Sequence, residues 1–226
     1  GERELLALGA EVGWETLEAT IAAWLDHSEQ RMVRAIERLP GGRVTACCVH
    51  DPFPGTPADG IPVKAVVTVD PDAAMIDVDL RDNPDCMPCG LNLSEACARS
   101  AALIGVFNGM NGARVPTNAG SFRRVRVHLR DNCIAGVPQH PTSCSVATSN
   151  VSDRLISAVH LAMADLGEGF GMAEIGASQT AAQAVISGRD PRLGGAPFIN
   201  QLILGDTLGA AAPSEDGWPA MLTGGT

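Results

Sequence analysis

Tyrosine is absent from this sequence of 226 residues, and lysine occurs once, as Lys64. The shortage of lysine excludes a Walker phosphate loop, which needs Lys directly after a Gly-rich turn to reach the terminal phosphates. Lys64 stands in Pro62-Val63-Lys64-Ala65 with no such turn before it. No apolar run reaches about 18 residues, which excludes a membrane-spanning helix. The opening Gly1-Glu2-Arg3-Glu4 has no signal-peptide pattern, and no polybasic tail occurs. With a net charge of −10, nonspecific binding to nucleic acid or anionic membrane is disfavoured. These absences predict a cytoplasmic protein with no nucleic-acid and no membrane partner.

What is present suits a folded domain. Hydrophobic residues make up 45% and charged residues 19% of a chain long enough for a generous core. Aromatics are few, five Phe and three Trp, whereas Gly is frequent. Seven Cys is an odd number, and Cys47 and Cys48 are adjacent. In a reducing compartment they serve as small buried residues, metal ligands or a nucleophile, and not as a disulfide framework. The sequons at Asn92 and Asn150 are then chance matches.

Periodicity places the elements. Trp14, Leu17, Ile21, Trp24, Leu25, Met32, Ile36 and Leu39 recur at three- and four-residue spacing and predict one long helix, ended by Pro40-Gly41-Gly42. About 25 helical residues would span about 38 Å, enough to cross a larger body or reach a partner. Residues 1–42 are therefore set apart as an N-terminal helical segment from a body over 43–226. Residues 43–50 predict a strand. Alternation at Val63, Ala65, Val67 and Val69, then at Ala74, Ile76, Val78 and Leu80, predicts a hairpin turning at Asp70-Pro71-Asp72, with Asp77 and Asp79 on its other face. A second helix is expected over 93–109, capped by Asn92 with Glu95. A strand is expected over 122–130, and a third helix over 151–167 capped by Asn150 or Ser149. Short strand runs follow at 183–187 and 198–204. Strands and helices do not alternate regularly, so the class is α+β, with antiparallel or mixed sheet elements and two further packed helices.

Three features carry chemistry. Cys86-Met87-Pro88-Cys89 on a Pro/Gly turn can turn two thiolates toward one tetrahedral metal, typically Zn²⁺. His140 and Cys144 offer further ligands, with Cys97 and Cys133 in reserve, and buried free thiols are the plain alternative. Second, Arg124, Arg126, His128 and Arg130 share one face of the strand around 122–130. Such a row can hold phosphate or carboxylate through bidentate Arg contacts, or can simply be a polar sheet face. Third, Cys144 precedes a helix, whose dipole would favour a thiolate nucleophile with His140 as base. Gly167-Glu168-Gly169-Phe170-Gly171 follows a helix and so is a helix stop, not a dinucleotide fingerprint.

Several stretches together resemble one family. Asn118-Ala119-Gly120-Ser121-Phe122-Arg123-Arg124-Val125-Arg126-Val127 resembles the Asn-Ala-Gly-x-Phe-Arg-x-Ile-Arg-Val segment of the hydantoinase B/oxoprolinase family. Ser149-Asn150-Val151-Ser152-Asp153-Arg154 is similar to its Gly-Asn-Val-x-x-x-x-Arg helix entry, with the Arg one residue closer. The helix around Ser28-Glu29-Gln30-Arg31-Met32 and the ending Asp216-Gly217-Trp218 also fit. The resemblance implies the B-type part of an ATP-dependent complex that opens cyclic amides, as in N-methylhydantoinase and 5-oxoprolinase. Acetone- and acetophenone-type ketone carboxylases in the same family give the alternative reaction, and a zinc-stapled non-catalytic scaffold a third reading. In each case ATP would sit on an A-type partner subunit in a hetero-oligomer, with a small cyclic amide or ketone as substrate. The positions matched are Asn118, Arg123, Arg126, Asn150 and Arg154. Arg123 and Arg126 would hold an anionic group, and Asn118 and Asn150 would hydrogen-bond substrate. The upstream Gly-Thr-His-x-x-Asp metal motif of the family's large subunits has no counterpart here, so a piece of a longer subunit, inactive alone, is expected.

Overall fold

The computed structural model describes residues 1–144, 147, 150–175, 183–203, 206–207, 210–217 and 221–222. Two helices open the chain, α1 (Glu2–Val12) and α2 (Trp14–Ile36). The expected long helix is α2, and the residues before it are helical as well. Gly13, at φ 87, breaks the two apart, a conformation that residues with a Cβ rarely adopt. The apolar stripe of α2 is buried only at its C-terminal end, where Met32 and Ile36 are sealed, while Trp14, Ile21 and Trp24 stay exposed.

Four strands form the main sheet in the order β1 (Gly42–His50), β2 (Ile61–Asp70), β3 (Met75–Asp79) and β4 (Val125–His128). The first two pairings are antiparallel, and β3–β4 is parallel, so the sheet is mixed. The β2–β3 hairpin turns where its Asp-Pro-Asp sequence predicts, with the Ala73 amide donating to Asp70 Oδ1 at 2.9 Å. Ile76 and Val78 are fully buried, which leaves Asp77 and Asp79 on the opposite face. A parallel neighbour requires a crossover, and α3 (Glu95–Gly109) and the short α4 (Ala119–Phe122) provide it. The chain then reaches α5 (Val151–Ala164), which lies across β1 and β2 and packs along α3. Val63, Val67, Ile76, Val106, Leu155 and Val159 belong to the resulting core. A separate antiparallel pair, β5 (Gln183–Asp190) and β6 (Ala196–Ile203), and a two-residue pair, β7 (Asp206–Thr207) with β8 (Met221–Leu222), complete the α+β chain.

Three local expectations are corrected. The cap of α3 is Ser94, whose hydroxyl accepts from the Cys97 amide at 3.2 Å, and not Asn92. Two residues closer to the helix, Ser94 can reach its orphan amides, and Asn92 is used elsewhere. The strand expected over 122–130 is cut to four residues because Asn118 and Ser121 form a reciprocal capping box that winds Ala119–Phe122 into α4. Asn150 stands at the N-cap of α5 but makes no side-chain capping bond, and Ser149 lies outside the described residues, as do Trp218 and Thr223–Thr226. Among the described residues no helix is long and apolar enough to cross a membrane.

Candidate functional site

The cationic row of β4 finds its counter-charges inside the chain. Asp77 pairs with Arg126 across the parallel register, and Arg126 Nη2 donates to Asp77 Oδ2 at 2.8 Å. His128 Nε2 lies 2.5 Å from the other oxygen of the same carboxylate. Burial works to raise the Asp77 pKa, but the hydrogen bonds from His128 and Arg126 prevail and hold it below the usual carboxylate range. Arg81 clasps Asp79 with two hydrogen bonds, which pull that carboxyl down to about 2. Arg130 reaches Asp85 at 2.8 Å and donates to the carbonyls of Arg81 and Asn83. The face is a lattice of opposite charges and not an open anion site.

The Asn118–Arg124 stretch docks on α2. Asn118 Oδ1 accepts from the Gly120 amide at 2.9 Å, and its Nδ2 donates to Ser28 Oγ at 2.8 Å. Gly120 permits the contact: a Cβ there would lie 1.9 Å from the Leu25 carbonyl oxygen. Arg123 Nη1 donates to Asp26 at 2.9 Å and Glu29 at 2.7 Å, and Arg124 pairs with the other oxygen of Glu29. The Arg123 hydrogen bond is the main reason the Glu29 carboxyl titrates low. Asn118, Arg123 and Arg126 are therefore engaged within the protein, in roles that hold α4 and β4 in place.

Asn150 and Arg154 sit one helical turn apart at the entry to α5. Among the described residues the buried carboxamide oxygen of Asn150 has no hydrogen-bond partner, an expensive state for a polar atom in a folded protein. The Arg154 side chain, 14% exposed, is ion-paired with Glu174 and donates to the Ile175 carbonyl at 2.8 Å. The Ile175 amide in turn donates to Ser157 Oγ on the next turn of α5. Cys48 of β1 lies within the field of this pair. Burial, reinforced by the Glu174 charge, pushes its thiol up to about 11. Among the described residues this corner thus combines an unpartnered carboxamide oxygen with a guanidinium held by Glu174 and Ile175.

The cysteine site takes a different shape from the one expected. A cavity of about 560 Å³ is lined by Cys86, Cys89, Asn132, Pro141 and Ser143 among others, so the Cys86–Cys89 turn and the segment around residue 140 do meet. The residue that joins them is Asn92. Fully buried, it accepts from the Met87 amide at 2.8 Å and donates to the carbonyls of Met87, Cys89 and Ser143. Sequence reading reduced Asn92 to a cap; an Asn three residues after a Cys-x-x-Cys turn was the available signal. His140 is exposed, whereas Cys86 and Cys97 lie near enough to Cys144 for their charge to act on its thiol. Among the described residues no group of three or more His, Cys, Asp or Glu could hold a metal ion. Burial also raises the Cys144 pKa, with Cys86 and Cys97 adding to it, contrary to the thiolate expected from a helix dipole. The helix begins at Val151, too far along the chain for its dipole to act.

The hydantoinase B/oxoprolinase family model matches residues 1–226. A search of curated protein sequences finds no match. Among solved structures, the ATP-dependent caprolactamase from Pseudomonas jessenii is similar in fold, with a TM-score of 0.75 at 22% identity. The similarity covers 97% of this chain and 37% of that one, so the chain spans little more than a third of its structural relative. The order of motifs from Ser28 to Arg154 agrees with the match over the full sequence: this chain belongs to the hydantoinase B/oxoprolinase family.

Proposed function

We propose that the chain is part of the B-type subunit of an ATP-dependent cyclic-amide hydrolase, working in the cytoplasm with an A-type ATPase subunit. The observation that carries this reading is the family match over the full sequence. The fold shared with an ATP-dependent caprolactamase supports it. Resonance gives an amide C–N bond partial double-bond character, which makes the ring carbonyl a poor electrophile. Activation with ATP on the partner removes that protection, and water then opens the ring to an amine and a carboxylate.

On this reading Asn150, at the entry to α5, contacts the substrate. Its carboxamide oxygen, an acceptor without a donor among the described residues, suits the N–H of a cyclic amide. Arg154 holds the neighbouring 174–175 segment in place through Glu174 and the Ile175 carbonyl and so acts as a positioning residue. The test is ATP turnover by the chain assembled with its A-type partner, with hydantoins and lactams as substrates and ring-opened product as the readout. Product formation that requires the cyclic amide, and that falls at least tenfold in Asn150→Ala with the complex still assembled, is the expected result. Turnover that depends on bicarbonate and consumes a ketone would overturn it in favour of a carboxylase.

A further inference from the structure

The arginines of the C-terminal part of α2 behave unlike those of the sheet. Arg31, Arg34 and Arg38 recur at spacings of three and four, so they share one side of the helix and its trailing turn. Together with Arg114, from the loop after α3, they line a cavity of about 580 Å³ whose floor includes the buried Leu39 and Met110. Arg31 Nη2 donates to the Arg114 carbonyl at 2.7 Å, which ties the two walls together. No Asp or Glu lines the cavity. Among the described residues none of these four guanidiniums forms an ion pair, whereas nine other arginines do.

Like charges at helical spacing destabilise one another, and the C-terminal dipole of α2 compensates only part of that. Four cations around one cavity, in a chain of net charge −10, are a cost that a bound anion would relieve. A single carboxylate would leave most of the charge unmatched, whereas a phosphate or diphosphate group carries enough. Guanidinium forks suit phosphate oxygens. The volume is that of a small-molecule pocket, with room beyond the anion for an organic group on the apolar floor. We propose that this cavity is a binding site for a phosphate-bearing small molecule, held by Arg31, Arg34, Arg38 and Arg114. It is separate from the Asn150 corner and does not depend on the reaction assigned above.

The test is calorimetric titration of the 226-residue chain with inorganic phosphate, pyrophosphate and ADP at 0.15 M salt. One-site binding of pyrophosphate or ADP is expected, weakening about tenfold in Arg34→Gln and again in Arg34→Gln/Arg114→Gln, and weakening with added salt. ADP binding tenfold tighter than pyrophosphate would identify a nucleotide as the source; equal affinities would identify the free phosphate group. Because these side chains are exposed and unpaired, both variants should melt no lower than the parent without ligand, and the rise in melting temperature with pyrophosphate should vanish in the double variant. No binding of the three anions, binding indifferent to the substitutions, or binding of poly-glutamate in their place would each overturn the proposal.

Discussion

Two sets of arginines in this chain carry the same charge and meet opposite fates. On the sheet face and its approach, Arg81, Arg123, Arg124, Arg126 and Arg130 each close on a carboxylate. Around the cavity beside α2, Arg31, Arg34, Arg38 and Arg114 have no ion-pair partner among the described residues, and no Asp or Glu lines the cavity. The difference shows what a run of charge in a sequence conveys. Arg123 to Arg130 is the conspicuous run, but β3 lies beside it with Asp77 and Asp79 in register. The inconspicuous set, scattered over more than eighty residues, is the one whose charge is left for something else.

Four substitutions probe the contrast between satisfied and unsatisfied groups. The largest effect is expected from Gly120→Ala, which drives a Cβ into the Leu25 backbone and forces α4, with Arg123 and Arg124, off Asp26 and Glu29. A backbone clash cannot be relieved by side-chain rotation, so a loss of about 3 kcal/mol or more is expected in chemical denaturation. A variant as stable as the parent would mean that the docking contributes little.

The next concerns a buried group. His160 on α5 is 1% exposed, neither ring nitrogen is hydrogen-bonded among the described residues, and burial depresses its pKa to about 4. The unfolded chain binds a proton near the ordinary value of 6.5, while the folded chain does not until about pH 4. Stability from this group is thus complete above pH 6.5 and declines as pH falls toward 4, by about 3 kcal/mol over that window. Denaturation curves between pH 7 and 4 should show the decline in the parent and a flatter profile in His160→Leu. An equal slope in both would place the proton uptake elsewhere.

The smallest effect belongs to the exposed lattice of the sheet. Asp77→Asn removes the counter-charge from Arg126 and His128, and partly exposed pairs of this kind contribute about 1 kcal/mol or less. Asp79, with its folded pKa near 2, stabilises the fold above the ordinary value of 3.8 and loses that contribution as pH falls through 2. Asp79→Asn should therefore shallow the acid limb of the melting-temperature profile between about pH 4 and 2 without moving its neutral plateau.

Much of the frame was legible in the sequence because it rests on local periodicity. Alternation at Val63–Val69 and Ile76–Val78 located the hairpin and its buried face, and the apolar stripe of Leu155 to Met163 located α5. Contacts between distant residues were not legible. Nothing local pairs Asn118 with Ser28 or Arg123 with Glu29, ninety or more residues away. The cysteines show the same limit. Their spacing suggests convergence, and the two segments do approach each other, but the side chain that joins them is the carboxamide of Asn92. Asn150 and Arg154 were found through family resemblance, and no local pattern reports that one carboxamide oxygen is left over.

Asn92 also sets an order of events during synthesis. Its amide group holds the Cys86–Gly90 turn through three local bonds, while the fourth goes to the Ser143 carbonyl, 51 residues downstream. A chain emerging from the ribosome therefore carries this turn without its long-range anchor until α3, α4 and β4 have all been made. That tie can form only after the segment beyond β4 has been made, so the cysteine loop is joined to the rest of the fold late in synthesis.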